Sequence, residues 1–209
     1  MEYFEMFLSN VQQTSIWEGV AVVMGLLSVW LAKKENVWVF PVGIVNVLIY
    51  VKICFDARLY ADMGINFIYF VMSIYGWYRW SRKDAQKNYD LPISQLSRKN
   101  GLIHILITAG LFVILSYVIS NFTDSDVPYW DSLTTAIFIV AMFMMTKKKI
   151  ENWVYYMVGN FISIPLYFSK GLVFSSFQFL VFFILAIMGY MEWRNKIDSV
   201  EKKVIANEC

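Results

Sequence analysis

Histidine is almost missing from this 209-residue chain: His104 stands alone. The two cysteines, Cys54 and Cys209, are too few and too ill-spaced for a disulfide framework or a thiolate metal site. No cluster of histidine, cysteine and carboxylate has the spacing of metal ligands. No G-x-x-x-x-G-K-[ST] loop is present to cradle a nucleoside triphosphate. Neither a metal nor any other cofactor is therefore expected. His104 lies near the start of an apolar run with no obvious partner for a triad or proton relay, so it reads as structural or interfacial. Without a grouped nucleophile or acid–base pair, the chain does not read as an enzyme. Charge is scarce too, at 16% of residues, against about 25% in soluble domains. The net charge of +2 gives no reason to expect nucleic acid as a partner.

What the chain has in quantity is apolar surface. Hydrophobic residues make up 58% and aromatics 18%, with a mean hydropathy of +0.51. A fold of this size in water has no place to hide that surface, so an all-α integral membrane protein is expected. A membrane-spanning helix needs about 20 mostly apolar residues. Seven segments qualify, near 17–33, 37–55, 60–80, 101–120, 131–147, 152–169 and 172–193. Stretches such as "FLVFFILAIMGY" are continuously apolar and lack the polar alternation of a barrel strand. The first residues, 1–16, lack the basic region of a signal peptide and read as an uncleaved amphipathic entry to the first span.

Lys and Arg set the orientation. With seven spans, fifteen of them fall on one side, including Lys33, Lys34, Arg79, Arg82, Lys83 and Lys147 to Lys149. Only Lys52, Arg58 and Lys170 fall on the other, beside the acidic loop "TDSDVPYWD". The expectation is an inner-membrane protein, N-terminus outside and C-terminus cytoplasmic.

The chain also repeats itself. "IYGWYRW" (Ile74–Trp80) and "IMGYMEW" (Ile187–Trp193) each place a glycine four residues before a tryptophan, and Gly76 and Gly189 are 113 positions apart. The same interval separates Trp17 from Trp130 and Trp80 from Trp193. Asn46 and Asn160, 114 apart, sit mid-span in the second helix of each half. A three-helix unit has been duplicated. An odd-numbered unit copied directly would come out inverted, and the segment at 101–120 restores its direction. The expected plan is three plus one plus three, with parallel repeats and a substrate site between them near the midplane. In residue terms this is an amphipathic segment (1–16), a first repeat (17–83), a cytoplasmic loop and linker helix (84–129), a second repeat (130–194) and a cytoplasmic tail (195–209).

In combination, "YGWYRW" (75–80), "LYAD" (59–62), "WDS" (130–132), "MTKKKIENW" (145–153) and "GNFISIPLYF" (159–168) resemble the PnuC family of bacterial vitamin transporters. The resemblance covers about Trp17 to Trp193. It implies the same seven-helix, SWEET-like plan, often assembled as a homotrimer, and facilitated diffusion of a vitamin precursor, chiefly nicotinamide riboside. Relatives carrying thiamine or riboflavin share the fold. Two positions depart from the riboside pattern, Asn66 in place of a glutamine and Tyr156 in place of a tryptophan, and both favour thiamine as the rival substrate. A sugar carrier of the SWEET type is a further alternative, against which the PnuC-like motifs speak. A seven-span receptor would have no reason to contain a repeat.

The candidate site follows from buried polarity. An amide in hydrocarbon must find a partner or serve a function. Asn46 and Asn160 are read as a central pair reaching ribose hydroxyls or a carboxamide; the bland alternative is hydrogen bonding that glues the helices. Asn66, Phe70, Ser73 and Trp77 fall on one helical face, as do Trp153, Tyr156 and Asn160, and Gln178 lies in the matching region of the last span. Aromatic faces suit a cationic heteroaromatic ring. Trp17, Trp80, Trp130 and Trp193 are assigned instead to an interfacial belt, an assignment that fits Trp153 equally well. No carboxylate sits plainly mid-membrane, so uniport is expected, with accumulation driven by phosphorylation by a cytoplasmic kinase.

Overall fold

The computed structural model describes residues 2–13, 15–56, 58–82 and 91–208. Among these, eight helices follow one another: α1 (Glu2–Gln13), α2 (Ile16–Lys33), α3 (Val39–Asp56), α4 (Tyr60–Ser81), α5 (Arg98–Phe122), α6 (Pro128–Thr146), α7 (Glu151–Ser169) and α8 (Val173–Glu208). The seven expected segments coincide with α2 to α8, and the N-terminal segment forms α1. Among the described residues, five helices are long and apolar enough to cross a membrane. Those not among the five include α4 and α7, whose polar residues lie partly inside: Ser73 on α4, and Asn152, Asn160 and Ser163 on α7, are buried. An inward-facing helix need not be apolar all round. The protein is an all-helical membrane protein.

Local sequence sets the helix ends. Ser15 caps α2 in a reciprocal box, its Oγ accepting from Glu18 N and Glu18 Oε2 accepting from Ser15 N. Ser97 caps α5, and Pro128 opens α6, where a missing N–H costs nothing. The residue stretch after the expected end of the last span, at 193, continues as helix to Glu208. Phe7 of α1 packs against Phe174 and Phe177 of α8, at 5.8 and 6.0 Å.

Helices α2, α3 and α4 pack in sequence, as do α6, α7 and α8; α5 lies mainly against α6. The two triplets meet through α2 with α8 and α4 with α6. Their meeting is reciprocal. Trp80 Nε1 donates to Met145 O (3.3 Å), and Trp193 Nε1 donates to Ala32 O (3.1 Å). Donors and acceptors alike are 113 positions apart. The ring of Phe40 occupies the space a Cβ on Gly76 would need, and the ring of Trp153 does the same over Gly189. The glycines of the repeated motif are thus seats for an aromatic ring from the neighbouring helix of the same triplet. Trp80 and Trp193, expected in the interfacial belt, are 2% and 0% exposed. They touch each other at 6.1 Å and form the centre of the core with Phe40 and Trp153. Trp17 and Trp130 do lie outside, 66% and 53% exposed.

The ends of α2 and α6 are also built alike. Asn36 N bonds Leu31 O and Glu35 N bonds Ala32 O; Lys149 N bonds Met144 O and Lys148 N bonds Met145 O. This is the six-to-one plus five-to-two pattern of a Schellman stop, which needs a left-handed residue. Glu35 (φ 60°) and Lys148 (φ 49°) occupy that place. Before α5, Ser94 bonds Lys148 O and Ile150 N through its backbone, and Lys149 Nζ through its Oγ at 2.8 Å, clasping the α6–α7 turn. The rest of the long polar loop, 83–90, lies outside the described residues, as does Cys209.

Candidate functional site

The face that each third helix turns inward can be read from burial. On α4 it contains Ser73, Gly76 and Trp80; on α8 it contains Ala186, Gly189 and Trp193, and all six are buried. One turn further from the tryptophans, the same faces carry Tyr69 and Phe182, again 113 apart. Tyr69 lies on the helix that packs against α6, with Tyr156 and Tyr167 of the second triplet in its neighbourhood. Phe182 lies beside Gly25 and the Asn46 amide of the first triplet.

An unbroken run of rings follows from there. Phe182 meets Phe179 at 6.4 Å, and Phe179 stacks on Phe138 at 6.3 Å. Phe138 meets Tyr156 at 6.2 Å, and Tyr156 meets Trp153 at 6.2 Å. Trp153 then joins Trp193 at 5.5 Å, and Trp80 joins Phe40 at 5.1 Å. Two polar atoms beside this run lack partners among the described residues. Trp153 Nε1 is buried and unpaired. Asn160, two turns along the same face of α7 and 3% exposed, makes no side-chain hydrogen bond. These are donors that a bound molecule can satisfy. Tyr156 has only a weak acceptor, Met142 Sδ at 3.8 Å.

The other candidates separate from this group. Asn46 Nδ2 donates to Ala21 O at 2.6 Å, which ties α3 to α2. Its counterpart at the common interval is Gly159, under Phe138; Asn160 corresponds to the buried Val47. The two amides are therefore one residue out of register, about 100° apart around equivalent helices, and do not form a symmetric pair. Asn66 Nδ2 bonds the carbonyl of Asp62 on its own helix at 2.9 Å. Phe70 stacks with the exposed Phe67 at 6.1 Å. Ser73 is buried against Gly43 of α3, within the first triplet. Gln178 on α8 is half-buried and makes no side-chain hydrogen bond among the described residues. Trp77 is 44% exposed and lines a shallow outer groove of about 310 Å³ with Ile74, Tyr78 and Ser81. It lies apart from the aromatic run. The face expected at 66, 70, 73 and 77 is displaced to 69, 73, 76 and 80, because the buried stripe must place Gly76 under Phe40. Tyr69, Phe138, Phe179 and Phe182 escaped the sequence reading, though the repeat interval, applied to every aromatic and not only to tryptophan, pairs Tyr69 with Phe182.

A larger cavity, about 490 Å³, opens at the end bearing the basic turns, between Lys34, Glu35, Trp38, Trp80 and Lys148. The polar chamber expected at the midplane is not one of these two cavities. Among the described residues no group of His, Cys and carboxylates could hold a metal.

At the opposite end, Lys170 Nζ lies 3.1 Å from both oxygens of Asp131, and Ser125 Oγ donates to Asp131 at 2.5 Å. Asp62, from α4, interacts with both Asp131 and Lys170. The two carboxylates belong to different triplets.

Known proteins resemble this one over most of its length. The nicotinamide riboside transporter PnuC of Escherichia coli (strain K12) is 28% identical over 202 residues, covering 85% of this chain and 84% of that protein. The riboflavin/roseoflavin transporter RibM of Streptomyces davaonensis is 24% identical over 193 residues, covering 90% of each. The fold matches a crystal structure of the vitamin B3 transporter PnuC with a TM-score of 0.71 at 18% identity, over 94% of this chain and 90% of that one. A sequence model described as nicotinamide mononucleotide transporter matches residues 15–195. With the reciprocal tryptophans and the ring-lined seam inside that range, the chain belongs to the nicotinamide mononucleotide transporter family of membrane proteins.

Proposed function

We propose that this protein carries nicotinamide riboside across the bacterial inner membrane by facilitated diffusion, with phosphorylation by a cytoplasmic kinase drawing uptake inward. The observation that carries the reading is Asn160. It is 3% exposed, lies midway along a helix of a membrane transporter, and has no hydrogen-bond partner among the described residues. A buried amide in that state has a ligand as its natural complement. The aromatic run beside it supplies ring faces for a positively charged pyridinium, attractive by up to about 2 kcal/mol once water is removed. Family membership and the name of the E. coli relative point the same way.

The transport path follows the seam between α2–α4 and α6–α8, taken as parallel repeats joined by α5. Support comes from the matched ends: Trp80 and Trp193 touch, and each bonds the opposite triplet at the equivalent carbonyl. The basic turns are assigned to the cytoplasm on their Lys and Arg excess, which leaves Asp62, Asp131 and Lys170 at the outer mouth.

Purified protein titrated with nicotinamide riboside, riboflavin and thiamine tests the substrate. Saturable riboside binding at micromolar concentration is expected. Riboflavin is the second reading, favoured by the match to RibM along 90% of both chains. Binding of riboflavin or thiamine with no response to the riboside would overturn the first.

A further inference from the structure

We propose that Glu35 and Lys148 form a latch that holds the basic mouth shut and must part each time that mouth opens. The inference rests on the transporter reading above, and adds to it the residues that gate one side.

Lys148 Nζ lies 2.6 Å from Glu35 Oε1. The two residues occupy the same place in the two triplets, so the pair joins equivalent turns of the two halves. Lys148 is 4% exposed, and its ammonium also lies 4.7 Å from the ring of Trp80. Lys196 of α8 adds a second cation to Glu35 at 3.1 Å. Neighbouring Glu192 faces Lys34 at 3.6 Å and Lys33 at 3.9 Å, again from one triplet to the other. Any motion that separates the α2–α3 turn from the α6–α7 turn breaks this set first.

The backbone points to a role beyond packing. Both residues stand at left-handed Schellman positions. Glycine fits there without strain, and the chain uses it at the equivalent stop after α7, where Gly171 has φ 73°. A charged residue at such a place is strained, and strain of this kind persists where a side chain is required. Among the described residues three non-glycine residues stand at such stops, Glu35, Arg58 and Lys148; Glu35 and Lys148 hold matched positions and bond each other. The polar groups also face a cavity of about 490 Å³, so water can receive them when they separate.

Glycine at both positions removes the latch while relieving the backbone, so folding is protected. Thr146, 0% exposed and two residues before Lys148, becomes the reporter as Thr146→Cys in a background with Cys54→Ser and Cys209→Ser. Full-length protein in sealed vesicles of either sidedness is labelled with a membrane-impermeant maleimide, without substrate. Relative to the reporter alone, Glu35→Gly/Lys148→Gly should speed labelling from the basic side at least fivefold. The apparent melting temperature should stay within a few degrees, and labelling from the opposite side should not rise. Unchanged labelling in folded protein would overturn the proposal. A collapse of the melting temperature would do so as well, because it would make the pair a fold clamp. Because no vitamin is present, these outcomes are independent of the ligand titrations.

Discussion

Trp153 rests on Gly189: three atoms of its indole come within 2.7 Å of where a Cβ at that glycine would stand. Phe40 lies over Gly76 in the same way. Ala at either glycine must push a core ring aside, an overpacking worth about 1–3 kcal/mol. Gly76→Ala and Gly189→Ala are expected to lower the apparent melting temperature clearly. Gly110→Ala, with no atom within 4 Å, should leave it level or raise it. Equal behaviour of all three would remove the ring-seat account.

The two central amides should fail differently. Asn46 is committed to Ala21 O, so Asn46→Ala should cost about 1–2 kcal/mol of stability. Asn160 has no partner to lose, so Asn160→Ala should leave expression and melting near normal while weakening riboside binding at least tenfold. Calorimetry and thermal melts on the same preparations separate the two effects. Loss of folded protein in the Asn160 variant would return that residue to helix glue.

Trp193→Phe removes the indole N–H from Ala32 O and shrinks a fully buried ring. The carbonyl keeps backbone donors from the helix stop, so about 1–2 kcal/mol is expected. Trp77→Phe, on the outer surface, should stay within about 0.5 kcal/mol and leave ligand affinity unchanged. Thermal melts and titrations of both variants check this.

Downhill riboside uptake into proteoliposomes should survive a proton ionophore. The carboxylates near the path, Asp62 and Asp131, lie near helix ends, and Asp131 is held by Lys170. Abolished uptake with an intact vesicle seal would require an ion-coupled cycle instead.

Much of this molecule was legible before any coordinates. Length and hydrophobicity located the helices α2 to α8, five of which are long and apolar enough to cross a bilayer. The interval of 113 picked out paired positions because Trp, Gly and the basic turns hold fixed places in the packing. The site was harder. Helical periodicity says which residues share a face and not which face is covered, so Trp77 was placed inside although it points out. The tryptophan belt rule failed at Trp80 and Trp193 because both reach a carbonyl of the other triplet. Asn46 and Asn160 looked equivalent by type. Side-chain size, with Gly25 beside Asn46 and Phe138 over Gly159, sets their true register.

The ion pair between positions 35 and 148 carries a consequence for how such a protein can be divided. Two copies of the α2–α4 unit, docked on each other as the halves are here, would bring carboxylate against carboxylate. Two copies of α6–α8 would bring ammonium against ammonium. Each fragment is therefore electrostatically barred from self-assembly and matched only to the other.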